Sequence, residues 1–284
     1  MRDVLQRVEN ELDPAHPHVE ILAYGEVSAA LLVPELPGKV AKRMSGFRDA
    51  AMAQAYCELV QDYVDQLPVK VVPTDIVPVE RPGRAPVVYL VQPLVSDLGN
   101  DLLHTADLAR LIDAVMDRVW IVHERTAPPE MAIDAQLSNW SFAGPEPVLI
   151  DIGTPFVRQH GRYVFDQEIL LSAIPPGLRA YYRRKGDIAK YMDDYFVPRL
   201  VGVDLLGNFI KEGAAQRLPE GLDAMNRWLR AQGQETVTRE EVEKYYKDDA
   251  ATLELFLRVR RLDRGLKRLL RREYDFVLPG KVQR

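Results

Sequence analysis

Twenty-two residues, Ala132 to Gly153, constrain this chain more than any other stretch. Asp134 is followed five positions later by Asn139, and the apolar run Val148-Leu-Ile then ends in Asp151-Ile-Gly153. Asn139-Trp-Ser-Phe reads as one strand, Ala143-Gly-Pro-Glu-Pro as a turn and Val148-Leu-Ile as the return strand. A short hairpin is therefore expected to gather the three polar side chains. Asp134 and Asn139 form the single Asp-x-x-x-x-Asn of the sequence. Asp-x-Gly recurs at Asp97-Leu-Gly99 and Asp263-Arg-Gly265, but without an apolar strand before it. Two readings fit. The residues form a polar turn that satisfies backbone groups, or they form a phosphoryl-transfer site. Such a site needs a carboxylate to accept a hydroxyl proton, with an amide oxygen and a second carboxylate to hold magnesium.

A chain of 284 residues buries a substantial core and suggests one large domain or two lobes. Its 47% apolar and 28% charged residues are an ordinary globular profile. No apolar run is long enough to span a bilayer, and Met1-Arg-Asp-Val-Leu-Gln-Arg7 lacks the apolar centre of a signal peptide. Cys57, the single cysteine, has no partner within the chain for a disulfide, which fits a reducing cytoplasm. Charge divides unevenly. Residues 1–157 carry 12 Lys and Arg against 23 Asp and Glu, whereas residues 158–284 carry 25 against 19. Opposite signs in the two halves suggest two lobes, or a partner that reads one half only.

Along the chain, residues 2–12 read as an amphipathic helix, followed by β-rich runs at 19–24, 29–33 and 39–44. In the third run Val40 and Lys42 share one face, Ala41 and Arg43 the other. Lys42 is either a solvated strand lysine or an ammonium aimed at nucleotide phosphates. Tyr56, Leu59, Val60, Tyr63, Val64 and Leu67 recur at helical spacing within 47–67. Glu58, off that stripe, is either a surface glutamate or an ion-pair partner for Lys42. Val69–Val79 and Pro86–Gln92 read as two more strands in a hairpin, and 106–123 as a strong helix. Five strands and one helix thus precede a helical half.

This order of elements resembles the protein-kinase-like fold over residues 19–157, in particular its small-molecule branch, the aminoglycoside phosphotransferase and choline kinase group. The resemblance implies an α+β bilobal fold. An N-terminal lobe, 1–93, would hold an antiparallel sheet with one helix, and 94–284 would form a mainly helical C-terminal lobe. It implies ATP and Mg2+ as cofactors. Gly25 and Ser28 would lie in the turn over the phosphates, and Lys42, paired with Glu58, would contact them. Gln92 and Leu94 would belong to the hinge that meets adenine. Asp134 would be the base, and Asn139 and Asp151 the metal ligands. Departures are specific: one glycine in the phosphate turn, Ala132 and Ile133 where protein kinases carry His and Arg, and no Ala-Pro-Glu segment after Asp151. These disfavour a protein kinase switched by phosphorylation. The expected function is phosphoryl transfer from ATP to a hydroxyl group of a small molecule. The alternatives are a pseudokinase-like scaffold and an atypical protein kinase.

The helical half is expected to hold helices at 186–200, 204–217, 219–232 and 238–272. A basic cluster, Arg179 with Arg183, Arg184 and Lys185, suggests an acceptor that is neutral or anionic rather than polycationic. Arg258, Arg260, Arg261, Arg264, Lys267, Arg268, Arg271 and Arg272 form a basic face over 258–272, read as solvated or as a dock for an acidic partner. No aromatic residues interleave with it, so nucleic acid is not expected. His16, His18, His104, His123 and His160 lack metal-ligand spacing. Neither a Walker A motif nor Gly-x-Ser-x-Gly is present.

Overall fold

The computed structural model describes residues 1–12, 19–25, 27–125, 130–174, 176–185, 187–269 and 275–277. Helix α1 (Arg2–Glu11) precedes strands β1 (Glu20–Tyr24), β2 (Ser28–Leu32) and β3 (Lys39–Met44). Helix α2 (Ala50–Gln66) follows, then β4 (Asp75–Arg81) and β5 (Arg84–Pro93). The five strands form one antiparallel sheet in the order β1-β2-β3-β5-β4. Asp49 starts α2 by accepting the Met52 N–H at 2.8 Å, which satisfies one of the orphan donors of a first helical turn.

The rest is mainly helical: α3 (Gly99–Leu102), α4 (Leu108–Arg125), α5 (Glu168–Ser172), α6 (Pro176–Lys185), α7 (Asp187–Asp194), α8 (Pro198–Lys211), α9 (Leu218–Ala231) and α10 (Arg239–Leu269). Short strands interrupt it. β6 (Met131–Ala132) pairs with β9 (Phe156–Gln159), which also pairs with β10 (Arg162–Tyr163). The expected hairpin is present as β7 (Trp140–Ser141) against β8 (Val148–Leu149). The fold is thus α+β, with an N-terminal antiparallel sheet and a mainly helical remainder, as expected.

Several boundaries differ from the sequence reading, and α8 ends at Lys211, short of the expected 217. Lys70–Val72 is not part of β4; it runs beside β8, with Val72 N–H donating to Leu149 O and Leu149 N–H to Lys70 O, both at 2.9 Å. Pro198 opens α8 instead of lying inside the expected 186–200 helix, because a missing N–H is harmless in a first turn. The break falls at 195–197, and α8 runs through Asp204, which the periodicity placed at a helix start. Helix α6 and strands β9 and β10 were not foreseen, since their short segments carry no clear apolar period.

Alternation in β3 divides the core. A large cluster lies on the α2 side of the sheet and continues through α4, α8 and α9. A smaller one lies on the opposite face, where Leu5 and Val8 of α1 and Val277 meet Ala41, Tyr89 and Val91. Arg43 enters that outer layer fully buried. It donates to both Glu9 carboxylate oxygens, at 2.9 and 2.7 Å, and to the Asp275 carbonyl at 2.8 Å. Tyr89 donates to Glu9 at 2.7 Å, and Arg81 donates to Glu9 and to the Asp275 carboxylate. Burial alone would raise the Glu9 pKa, but Arg43, Tyr89 and Arg81 together hold it below the usual range.

Removing Glu9 leaves two guanidiniums in an apolar layer with too little counter-charge. Glu9→Ala is expected to destabilise the chain by about 3–5 kcal/mol in urea unfolding at neutral pH. In the unsubstituted chain the Glu9 contribution is present above the ordinary carboxylate range and is lost as pH falls through its depressed pKa.

Candidate active site

Lys42 projects from β3 toward the helical part, and its ammonium donates to the Asp151 carboxylate at 2.5 Å, joining positions 109 residues apart. The Lys42 side chain is 19% exposed and that of Asp151 37%, so the pair remains reachable by a ligand. Asp151 also accepts the Gly153 N–H at 2.9 Å. Burial would raise the Asp151 pKa; the charge and hydrogen bond of Lys42 and the Gly153 N–H outweigh it and leave it depressed. Asp151 is therefore an anion. Gly153 packs closely here: a Cβ on it would lie 3.1 Å from the Lys42 ammonium nitrogen.

Asn139 ends a single 3-10 turn, Leu137–Asn139, and its carbonyl accepts the Ile150 N–H at 2.9 Å. The hairpin register thus sets Asn139 directly across from the residue that precedes Asp151. Among the described residues, no three His, Cys, Asp or Glu side chains cluster as a metal cage. One amide oxygen plus one carboxylate is the hard-oxygen set that suits Mg2+, which takes its remaining ligands from phosphates and water. The donor chemistry fits.

Asp134 sits at the start of the same loop. Its carboxylate accepts the Gln136 N–H at 2.8 Å, and its carbonyl accepts the Trp140 indole N–H at 3.1 Å. Gln136 bridges onward, its side-chain amide donating at 3.2 Å to Asp204 of α8. Asp204 is also held by the Tyr245 hydroxyl at 2.8 Å. Burial, then the Asp204 charge, pushes the Asp134 pKa up to about 8. Asp204 itself is raised, again chiefly by burial. Burial thus favours the protonated form of both Asp134 and Asp204, which Gln136 links next to the hairpin.

The remaining expected residues are placed less uniformly. Glu58 is not beside Lys42. It is exposed on α2 and accepts from Gln54 at 2.9 Å, because two residues beyond Tyr56 a helix has turned well away from the face it buries. The partner of Lys42 is Asp151. The Gly25 N–H donates to Ser28 O at 2.9 Å and closes the β1–β2 turn, and Ser28 pairs with Met44, two residues from Lys42 along β3. Glu26 lies outside the described residues. The Gln92 side chain donates to Ile150 O at 2.9 Å and to Thr74 at 3.0 Å, tying β5 to the segment before Asp151. The Leu94 N–H is committed to Gly38 O, which removes it as a free hinge donor, while its side chain is 54% exposed.

Three of the basic residues are engaged within the chain. Arg179 donates to the Ile174 and Ser172 carbonyls, and Arg183 forms a two-pronged pair with Glu168. Arg179 keeps its positive charge, since its partners are neutral carbonyls, whereas Arg183 is matched at the surface by Glu168. Arg260 is buried and donates to Ala173 O at 2.8 Å, Arg261 is exposed and Arg264 half-buried. The side chains of Arg258, Lys267, Arg268, Arg271 and Arg272, like His16 and His18, lie outside the described residues.

Sequence reasoning missed Gln136, Asp204 and the roles of Tyr56 and Tyr63. The signals were available. Asp204 is a lone carboxylate in Leu200-Val-Gly-Val-Asp-Leu-Leu206, and buried tyrosines need acceptors for their hydroxyls.

Because burial raises Asp134, the folded chain holds its proton more tightly than the unfolded chain. That stabilisation is full in acid and is lost as pH rises through about 8. Asp134→Asn cannot ionise and retains an oxygen for the Gln136 N–H. Its melting temperature is expected to fall less than that of the unsubstituted chain between pH 6 and 9.

No curated protein matches the chain. Among solved structures it is similar to the GDP complex of wild-type aminoglycoside 2'-phosphotransferase-IIIa. That similarity has 15% identity and a TM-score of 0.35, covering 78% of this chain and 96% of the other. A family model described as a family of unknown function, DUF6206, matches residues 7–264, and the chain belongs to that family.

Proposed function

We propose that the chain is a phosphotransferase that moves a phosphoryl group from ATP, with Mg2+, to a hydroxyl group of a small molecule. The observation that carries this reading is the Lys42–Asp151 contact at 2.5 Å, formed beside the Asn139–Ile150 backbone pair. Lys42 and the depressed Asp151 carboxylate are reachable there, and the hairpin and its leading loop carry Asn139 and Asp134. We take residues 1–93 as the nucleotide side and 94–284 as the acceptor side, with Gly25 and Ser28 in the turn nearest the phosphates.

Arriving phosphates would draw the Lys42 ammonium away from Asp151, freeing carboxylate oxygens. Asn139 and Asp151 would hold Mg2+, which when bound supplies charge neutralisation on the nucleotide phosphates. Asp134, once ionised, accepts the acceptor's hydroxyl proton. A pKa near the working pH suits that task, because the group is then both present as a base and willing to take a proton. Most of the rate gain comes from positioning and charge compensation. The basic cluster around Arg179, Arg183 and Arg184 supports an acceptor that is neutral or anionic rather than polycationic, with Arg183 matched at the surface by Glu168.

Melting curves with ATP, with and without Mg2+, test nucleotide binding, and ATP turnover across a panel of hydroxyl metabolites tests transfer. Asp134→Asn is expected to lower turnover by about two to four orders of magnitude while nucleotide binding persists. The rate of the unsubstituted enzyme should climb as pH approaches 8. Nucleotide binding without phosphate on any small molecule would favour a scaffold; phosphate on protein would favour a protein kinase.

A further inference from the structure

We propose that Tyr56 is a positioning residue for the Asp151-Ile-Gly153 loop, which it holds from α2. The inference rests on the phosphotransferase reading.

Tyr56 is almost fully buried, and its hydroxyl donates to the Gly153 carbonyl at 2.8 Å. Its ring is set by Phe47, 5.1 Å away, and by Phe165 at 6.4 Å in an edge-on contact. Seven residues later on the same helix, Tyr63 donates to the Ala132 carbonyl at 2.6 Å, just before Asp134. Seven residues are about two turns, roughly 10.5 Å, so the two hydroxyls lie on one face. Helix α2 therefore grips both loops of the site, one through each phenol. Burial keeps both hydroxyls protonated, so each remains a donor throughout the working pH range.

A phenol differs from a carboxylate in what it leaves free. A glutamate facing Lys42 would compete with Asp151 for the ammonium. Tyr56 instead binds a neutral carbonyl two residues past Asp151, so that Lys42 and the Gly153 N–H together orient the Asp151 carboxylate. The backbone entering α2 supports this placement. Gly46 has φ +101°, and a Cβ there would overlap the Ser172 hydroxyl at 2.2 Å and the Ile169 carbonyl at 2.9 Å. That contact seats the start of the helix against α5.

Mn2+ in place of Mg2+ provides a spectroscopic readout that loss of packing alone would not move selectively. Using the full chain with ATP, Mn2+ affinity is measured by electron paramagnetic resonance for Tyr56→Phe, Tyr63→Phe and Glu58→Gln. Tyr56→Phe keeps the ring and its contacts, and is expected to weaken Mn2+ binding about 10-fold with a retained cooperative melt. Tyr63→Phe should lower turnover but leave Mn2+ affinity unchanged, and Glu58→Gln should change neither. Unchanged Mn2+ affinity in Tyr56→Phe, or equal weakening in Tyr63→Phe, would overturn the inference while the phosphotransferase reading stands. Absence of Mn2+-dependent ATP binding by the unsubstituted chain would overturn that reading and this inference with it.

Discussion

Strand β3 places two cations at consecutive positions on opposite sides of one sheet. Lys42 faces the helical part and Arg43 enters the outer layer, where Glu9, Tyr89, Arg81 and Asp275 surround it. A slip of one residue in the pairing with β5 would exchange them. The buried layer would then receive an ammonium that cannot make the two-pronged contact of a guanidinium, and the site would receive a bulky planar cation. Charge burial on one face thus fixes the register that the other face uses. A buried ion pair is a poor source of net stability, but breaking this one would leave an uncompensated charge in the outer layer.

The two parts of the chain meet through directional contacts at the site itself. Gln92 holds Ile150, Lys70–Val72 runs beside Leu149, Tyr56 holds Gly153 and Tyr63 holds Ala132. Each contact comes from the N-terminal sheet, its helix or the segment between α2 and β4, and ends on backbone near Asp134 or Asp151. The Asp151 carboxylate is itself oriented by the Lys42 ammonium and the Gly153 N–H.

Much of this was legible in the residues. The alternation of Val40, Ala41, Lys42 and Arg43 named the face on which Lys42 lies, and the hairpin around Ala143–Pro147 followed from turn chemistry and a short apolar return strand. Periodicity could place α2 and α4 because each has a wide apolar stripe. It failed where elements are short, as in β9, β10 and α6, and where one helix is buried nearly all round, as in α8. Glu58 illustrates a different limit. Its position relative to the stripe was visible, but the identity of Lys42's partner depends on a chain segment 109 residues away. No local pattern reports such a distance. Nor could hydrophobicity reveal that two tyrosines in the stripe of α2 act through their hydroxyls, since their rings alone account for burial.

The Arg43 cluster also bears on the order in which the molecule can assemble. Its carboxylate partner comes from residue 9 and its carbonyl partner from residue 275, while Val277 packs beside Leu5 and Val8. During synthesis the five strands emerge from the ribosome long before Asp275 does. Until then Arg43 and Arg81 share Glu9 alone, and the apolar outer face of the sheet lacks part of its cover. Strand pairing that is complete in a nascent fragment thus remains electrostatically unfinished, so this chain is expected to depend on late consolidation and on protection of that face while translation proceeds.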